Sequence, residues 1–385
     1  MFTIKQLEKF STLETPFYYY DQALLDRTVQ ELKKHAPKEY HIHYALKANA
    51  RPEILEMFRS NGIGADCVSG NEVKRAVECG FDRSKIVFAG VGKSDKEINY
   101  ALDHDIFCFN VESVPELVVI DELAGKKNKK AAVALRINPN VDAYTHKYIT
   151  TGLEENKFGI NPYEFEMVIG ELKKLKHVEL IGLHFHIGSQ ITDLTPFKKL
   201  CSRVNEINKW FLNKGYLLQN INLGGGLGIN YQDPETNAIV DFKNFFQVFN
   251  TSLELQKDQQ VHFELGRSLV AQCGSLISRV LYIKKGINTN FAILDAGMTE
   301  LIRPALYQAF HKIENLSASV IRNEKKTEKY DVVGPICESS DCFGKAVELP
   351  VSERGDLLAI RSAGAYGEVM SSRYNLREDV KGYLF

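Results

Sequence analysis

Short apolar or alternating runs recur through the first two thirds of the chain. They read IHYALKA (42–48), GIGADCV (62–68), IVFAGV (86–91), IFCFNV (106–111), AAVALRI (131–137), LIGLHFHI (180–187), INLGGG (221–226) and VHFELGR (261–267). Most of the intervals carry charged segments of helical period, such as PEILEMFRSN, GNEVKRAVECG and EFEMVIGELKKLK. Strands that alternate with helical patterns imply parallel βα units. Eight of them in ~230 residues is the tally of a closed (β/α)8 TIM-type barrel, which typically takes ~250. An open doubly wound sheet also fits the alternation and stays open at this point.

After Arg267 the texture changes. SLISRVLYIKKG, NFAILDAG, KYDVVGP, KAVELP and DLLAIRSAG alternate apolar and polar positions, with Gly, Pro and Asn between them. That pattern predicts a mostly antiparallel β domain. TPFYYYD, near the N-terminus, is also strand-like and is expected to return to this second domain. The expected division is a barrel over residues 22–266 and a β domain built from 1–21 plus 267–385.

Composition narrows the function classes. The chain has 385 residues, 44% hydrophobic and 25% charged, with a formal net charge of -1. That is ordinary globular composition with no nucleic-acid footprint, so a small-molecule partner is the expectation. The Lys126, Lys127, Lys129, Lys130 cluster reads as a solvated turn. Seven scattered cysteines without a CxxC pair argue against a disulfide framework or a zinc ribbon and for a reducing compartment. No signal-like start and no apolar run of membrane length is present, so a cytoplasmic location with no membrane partner is expected.

In a barrel, chemistry sits at the C-terminal ends of the strands. Those positions read Lys47, Asp66, Gly90, Asn110, Arg136, His186, Gly224–Gly226 and Glu264. One polar strand end means little; the convergence of Lys47, Asp66, Arg136, His186 and Glu264 towards one rim suggests a site. Lys47 follows the apolar HYAL, where lost solvation would favour the neutral amine needed for a Schiff base. The alternative is a lysine merely emerging from a strand. Gly224, Gly225 and Gly226 follow the seventh strand, where barrels often build a phosphate site from backbone N–H groups; GGGLG lacks the GxGxxG spacing of a dinucleotide fingerprint. Glu264 is an acid inside an apolar run, suited to pairing with a cofactor nitrogen or, equally, with Arg267 or Arg136. His184 and His186 share one face, as do His41 and His43, which raises a metal-dependent amidohydrolase as a rival. His41 and His43, however, lie at the entry end of the first strand.

YALKAN around Lys47, HIGSQ (186–190), GGGLG (224–228), ELGR (264–267), CESSD (337–341) and GAYG (364–367) occur in one order. Together they resemble the alanine-racemase-type (fold type III) pyridoxal-phosphate decarboxylases, and within these the diaminopimelate decarboxylase branch, over nearly the whole chain. The resemblance implies pyridoxal 5′-phosphate carried as an imine on Lys47 and an enzyme that decarboxylates meso-2,6-diaminopimelate to L-lysine. It implies Asp66 in the cofactor site, His186 stacked on the ring and Glu264 on the ring nitrogen. Gly224, Gly225, Gly226, Leu265, Gly266, Arg267, Ser189 and Tyr366 would surround the phosphate. Arg267, Arg303 and Tyr307, with Tyr366, would hold the substrate, Glu338 would take its distal ammonium, and Cys337 would be a proton donor. It also implies a homodimer in which the segment carrying Cys337 and Glu338 serves a second subunit. No resident metal is implied. One departure is visible: the family usually has proline where this chain has Leu265, which puts local rigidity in doubt more than activity.

Ornithine, arginine and carboxynorspermidine decarboxylases are the nearest rivals. Ornithine and arginine have no distal carboxylate to engage Arg303, and the CESSD and HKYITTGLEENKFGI (146–160) segments look more like the diaminopimelate branch. A non-catalytic pyridoxal-binding relative would be expected to have lost Lys47 or Cys337, and both are present.

Overall fold

The computed structural model describes residues 2–142 and 157–385. Its first strand is β1 (Phe17–Tyr20), and eight strands then close a parallel barrel: β2 (Tyr40–Ala45), β3 (Gly64–Cys67), β4 (Ile86–Phe88), β5 (Cys108–Val111), β6 (Ala131–Ile137), β7 (Val178–Phe185), β8 (Asn220–Asn222) and β9 (Gln260–Leu265). The barrel closes by parallel pairing of β9 with β2, with His41 opposite His262 and His43 opposite Glu264. The open-sheet alternative is thereby removed. Helices occupy the intervals, and their starts are written in the sequence. Ser69, Ser94 and Ser113 each accept the N–H three residues on, satisfying a donor that a helix start otherwise leaves unpaired.

Seven further strands build the second sheet: β10 (Gly274–Lys285), β11 (Asn290–Leu294), β12 (Ile313–Asn315), β13 (Thr327–Val333), β14 (Cys342–Pro350), β15 (Leu357–Ile360) and β16 (Lys381–Leu384). Its main order is β12-β15-β10-β11-β13-β14. Most pairs are antiparallel, while β11–β13 and β1–β16 are parallel. β1 pairs antiparallel with β10, Phe17 opposite Ile277, as the strand-like TPFYYYD suggested. The sheet's core gathers Phe2, Leu7, Phe10, Phe17, Tyr19, Ile277, Leu316 and Leu357. Each such side chain contributes ~1.5–3 kcal/mol when removed from water.

The chain separates into two compact units: residues 29–228 with 241–266, and residues 1–28 with 229–240 and 267–385. The expected barrel of 22–266 therefore gives up residues 22–28 and 229–240. Residues 229–240 are tied to the second unit by hydrogen bonds: Gln272 donates to the Asn230 carbonyl (2.8 Å), and Arg267 Nη1 donates to Tyr231 Oη (2.6 Å). No helix among the described residues is long and apolar enough to cross a membrane, and all seven cysteines are unpaired.

Candidate functional site

In the barrel unit, β2 ends at Ala45 and Lys47 lies on the 3-10 turn that follows, Leu46–Ala48. Its ammonium meets Asp66 Oδ2 at 3.0 Å; the lysine side chain is 35% exposed and the aspartate fully buried. The dry lysine expected from HYAL is thus a half-open one, held by a buried acid. Burial and the nearby Glu264 carboxylate push Asp66 above the usual carboxylate range, and Lys47 offsets only part of this. Asp66 Oδ1 is buried with no hydrogen-bond partner.

Glu264, on β9, is the centre of a buried polar network. Its Oε1 accepts from Asn110 Nδ2 (2.9 Å) and Asn222 Nδ2 (2.8 Å), and Oε2 lies 2.9 Å from His184 Nε2. Burial alone would raise its pKa, but His184 and then Lys47 outweigh that and hold it well below the usual range. A carboxylate offers about four lone-pair directions, so three donors leave Oε2 able to accept one more. Arg136, one of the two suggested ion-pair partners, instead binds Glu112 at 2.7 Å.

His186, just past β7, is half-buried, and its Nδ1 accepts from the Gly225 N–H at 3.3 Å. Burial, Arg136 and Lys47 hold it well below the ordinary histidine value, so the ring is neutral. The glycine run ends β8 early. Gly224 has φ +66°, and a Cβ on Gly225 would sit 2.0 Å from the Glu264 carbonyl oxygen. Only glycine passes both constraints. Asn222 Oδ1 takes the Gly224 N–H and His186 takes that of Gly225. The Gly226 N–H meets no protein acceptor among the described residues. Ser189 is half-buried after His186; Leu265 is fully buried opposite Tyr44, and Gly266 packs on Ala45 and Ala48.

In the second unit, Tyr231 joins two buried arginines. Arg267 Nη1 donates to its hydroxyl, and the Arg303 guanidinium lies 4.8 Å from its ring centroid. Arg267 also lies over the Tyr366 ring at 4.7 Å, and Tyr366 has φ +56°, strained for a tyrosine. Arg303 opens the short helix Arg303–Tyr307, so Tyr307 follows one turn later, half-buried. Arg303 Nη1 donates to His311 Nε2 (2.8 Å), and His311 Nδ1 donates to the Arg361 carbonyl (2.8 Å). Arg303 is 5% exposed, forms no ion pair with an acid among the described residues, and its Nε has no hydrogen-bond partner. Cys337 and Glu338 are exposed and engage other residues: the Cys337 N–H donates to Asn375 Oδ1 (3.1 Å), and Glu338 Oε1 accepts from Tyr374 (3.0 Å).

Residues 22–271 match the family model described as "Pyridoxal-dependent decarboxylase, pyridoxal binding domain". The chain is 57% identical to diaminopimelate decarboxylase of Bacteroides thetaiotaomicron over 98% of this chain and 97% of the relative. The chain belongs to the diaminopimelate decarboxylase family. A Helicobacter pylori member is 43% identical, covering 98% of this chain and 91% of that one. The crystal structure of diaminopimelate decarboxylase from Helicobacter pylori complexed with L-lysine superposes with a TM-score of 0.92 at 41% identity, over 99% of this chain and 94% of that one.

Membership makes this a pyridoxal-phosphate-dependent carboxy-lyase, and the barrel's residues fit that cofactor. Lys47 supplies an amine, the Gly226 N–H and Asp66 Oδ1 are without protein partners, and Glu264 has acceptor capacity left. The two HxH pairs part company. His184 serves Glu264, His41 and His43 lie at the other end of β2, and no group of three metal-ligating side chains occurs among the described residues.

Asn222 and the residues Tyr231 and His311 were not singled out by sequence reasoning; Asn110, at a strand end, and His184, in an HxH pair, were named there without being tied to Glu264. Residues 146–156 of the HKYITTGLEENKFGI segment lie outside the described residues. Arg136 stacks over Phe158 at 4.7 Å, just beyond them.

Proposed function

We propose that the chain decarboxylates meso-2,6-diaminopimelate to L-lysine and CO2, the last step of lysine biosynthesis, with the cofactor attached at Lys47. The observation that carries the substrate choice is Arg303, a buried guanidinium whose partners are neutral. A buried charge without a counter-charge is costly, so the arrangement suits an anionic ligand. Diaminopimelate brings a distal carboxylate; ornithine and arginine do not. CO2 release from the three substrates at equal concentration tests this. Diaminopimelate should be turned over far faster, and equal or better turnover of ornithine would reject the assignment.

In this reading Asp66 positions the Lys47 amine. Glu264, held ionised, keeps a proton on the ring nitrogen, and His186 presents a neutral flat face. The cofactor supplies an electron sink, a protonated ring that takes up the electron pair released as CO2 leaves. Gly224–Gly226, Ser189, Leu265 and Gly266 would hold its phosphate. Arg267, Arg303, Tyr307 and Tyr366 orient the substrate.

The exposed segment with Cys337 and Glu338 serves a second copy of the chain in a homodimer. There Glu338 takes the distal ammonium and Cys337 Sγ delivers a proton to the carbon that lost CO2. Mixing inactive Lys47→Ala and Cys337→Ala dimers should then restore about one quarter of wild-type activity, because half the dimers are mixed and one of two sites in each is intact. No recovery after verified subunit exchange would place both residues in one subunit's site. Seven unpaired cysteines are consistent with a cytoplasmic setting.

A further inference from the structure

The end of the barrel remote from Lys47 holds a cavity of about 560 Å³ among the N-terminal ends of its strands. About 13 Å of β2 separates His41, on its wall, from Ala45. The volume is that of a small-molecule pocket. Lys33, Lys38 and Lys85 line it, and no lining residue is acidic. Lys33 donates to Asn61 Oδ1 (3.3 Å) and Lys85 to the Gly62 carbonyl (3.2 Å). None of the three ammoniums lies within ion-pair distance of a carboxylate among the described residues, although lysines elsewhere on this unit are commonly paired, as Lys93 is with Glu116.

One wall is flat. The His41 ring stacks on His262 (centroids 4.7 Å apart, 21° between planes), and Phe107 stacks on His262 (5.4 Å, 16°). His43 fixes this wall through contacts of 3.0 Å to His262 Nδ1 and 3.0 Å to the Lys85 carbonyl. Burial holds His43 at about 4 and His262 at about 2, so both rings are neutral and the lysines supply the charge. A barrel's N-terminal face ordinarily serves stability. Here three ammoniums, exposed at Lys33 and Lys38 and half-buried at Lys85, gather around a cavity with no carboxylate in its lining, an arrangement that attracts an anion.

We propose that this cavity is a second ligand site, for a small flat-ringed organic anion whose ring packs against the accessible His41 and Phe107 rings and whose phosphate or carboxylate meets Lys33, Lys38 and Lys85. Titration calorimetry on the holoenzyme with phenyl phosphate, benzoate, inorganic phosphate and phenol tests it. The expected result is one saturable site per chain for phenyl phosphate or benzoate, with a Kd of about 1 mM or tighter. Inorganic phosphate and phenol should bind at least about tenfold more weakly, since each supplies half of the recognition. Whichever ring-bearing anion binds identifies the anionic group. Lys38→Glu with Lys85→Glu should weaken that binding about tenfold or more while kcat stays unchanged. The milder Lys38→Gln with Lys85→Gln should give an intermediate loss if the charge reversal impairs folding. No saturable binding, binding indifferent to the lysine changes, or inorganic phosphate binding as tightly as phenyl phosphate would each overturn the proposal.

Discussion

His311 gives the structure a pH-dependence that can be worked out in advance. Its ring accepts a hydrogen bond from Arg303 at Nε2 and donates one from Nδ1 to the Arg361 carbonyl, which fixes the neutral tautomer. Burial, and then the Arg303 charge, pull its pKa from the ordinary 6.5 down to about 3. A proton on Nε2 would set two cations face to face and remove the acceptor that holds Arg303. The folded state therefore binds fewer protons than the unfolded one, and stability contributed by this residue is full above pH 6.5 and is lost as pH falls towards 3. Between pH 7.5 and 5.5 the loss is about 1.4 kcal/mol, a figure set by the unfolded pKa because the folded one lies so far below. His311→Gln can keep both hydrogen bonds and does not titrate. Urea unfolding at the two pH values, read where fluorescence and circular dichroism transitions coincide, should show wild type losing about 1.4 kcal/mol more than the variant. His43 and His262 titrate alike in both proteins and cancel. Equal losses in the two proteins would refute the neutral-acceptor account of His311.

Other outcomes follow from the same geometry. Lys47→Ala should abolish turnover and leave no cofactor adduct after borohydride reduction and peptide mass analysis; an adduct on another lysine would move the attachment point. Arg303→Ala removes a charge-assisted contact worth ~1.5–3 kcal/mol and should raise KM for diaminopimelate by about tenfold or more, with kcat less affected; an unchanged KM would take Arg303 out of substrate binding. Glu264→Gln keeps the shape and hydrogen bonds to Asn110 and Asn222 but loses the charge, so kcat should fall by about 10²-fold while bound cofactor, read by its absorbance, persists. Retained kcat would mean that the carboxylate does not hold the ring proton.

The order of strands was legible because the barrel repeats an apolar run followed by a helical segment, and three of those helices start at their own serine caps, Ser69, Ser94 and Ser113. Strand ends were less so. INLGGG reads as a strand to Gly226, yet β8 stops at Asn222, since Gly224 and Gly226 adopt positive φ that no extended strand accommodates. Lys47 likewise lies past its strand, on a 3-10 turn, where its side chain reaches Asp66 while keeping contact with solvent. Residues 229–240 lie between β8 and β9 in sequence but join the other unit, through hydrogen bonds from Arg267 and Gln272 later in the chain.

What the sequence hid is of one kind. A charged residue in an apolar run announces itself, so Glu264 and Lys47 could be picked out one by one, while Arg303 came from the family resemblance. What holds Glu264 ionised is His184 on β7 together with Lys47, and what fixes its carboxylate is Asn110 on β5 and Asn222 on β8, a meeting set by barrel closure. Asparagine is common in strands' polar ends and carries no charge to flag it. The same holds for Tyr231 and His311 beside Arg303: neutral groups whose effect is to hold a buried cation without cancelling it. An acid in either place would have been easier to read and would have neutralised the guanidinium before any substrate carboxylate arrived. Sites that must keep a charge available for a ligand are therefore built from the residues that sequence patterns reveal least.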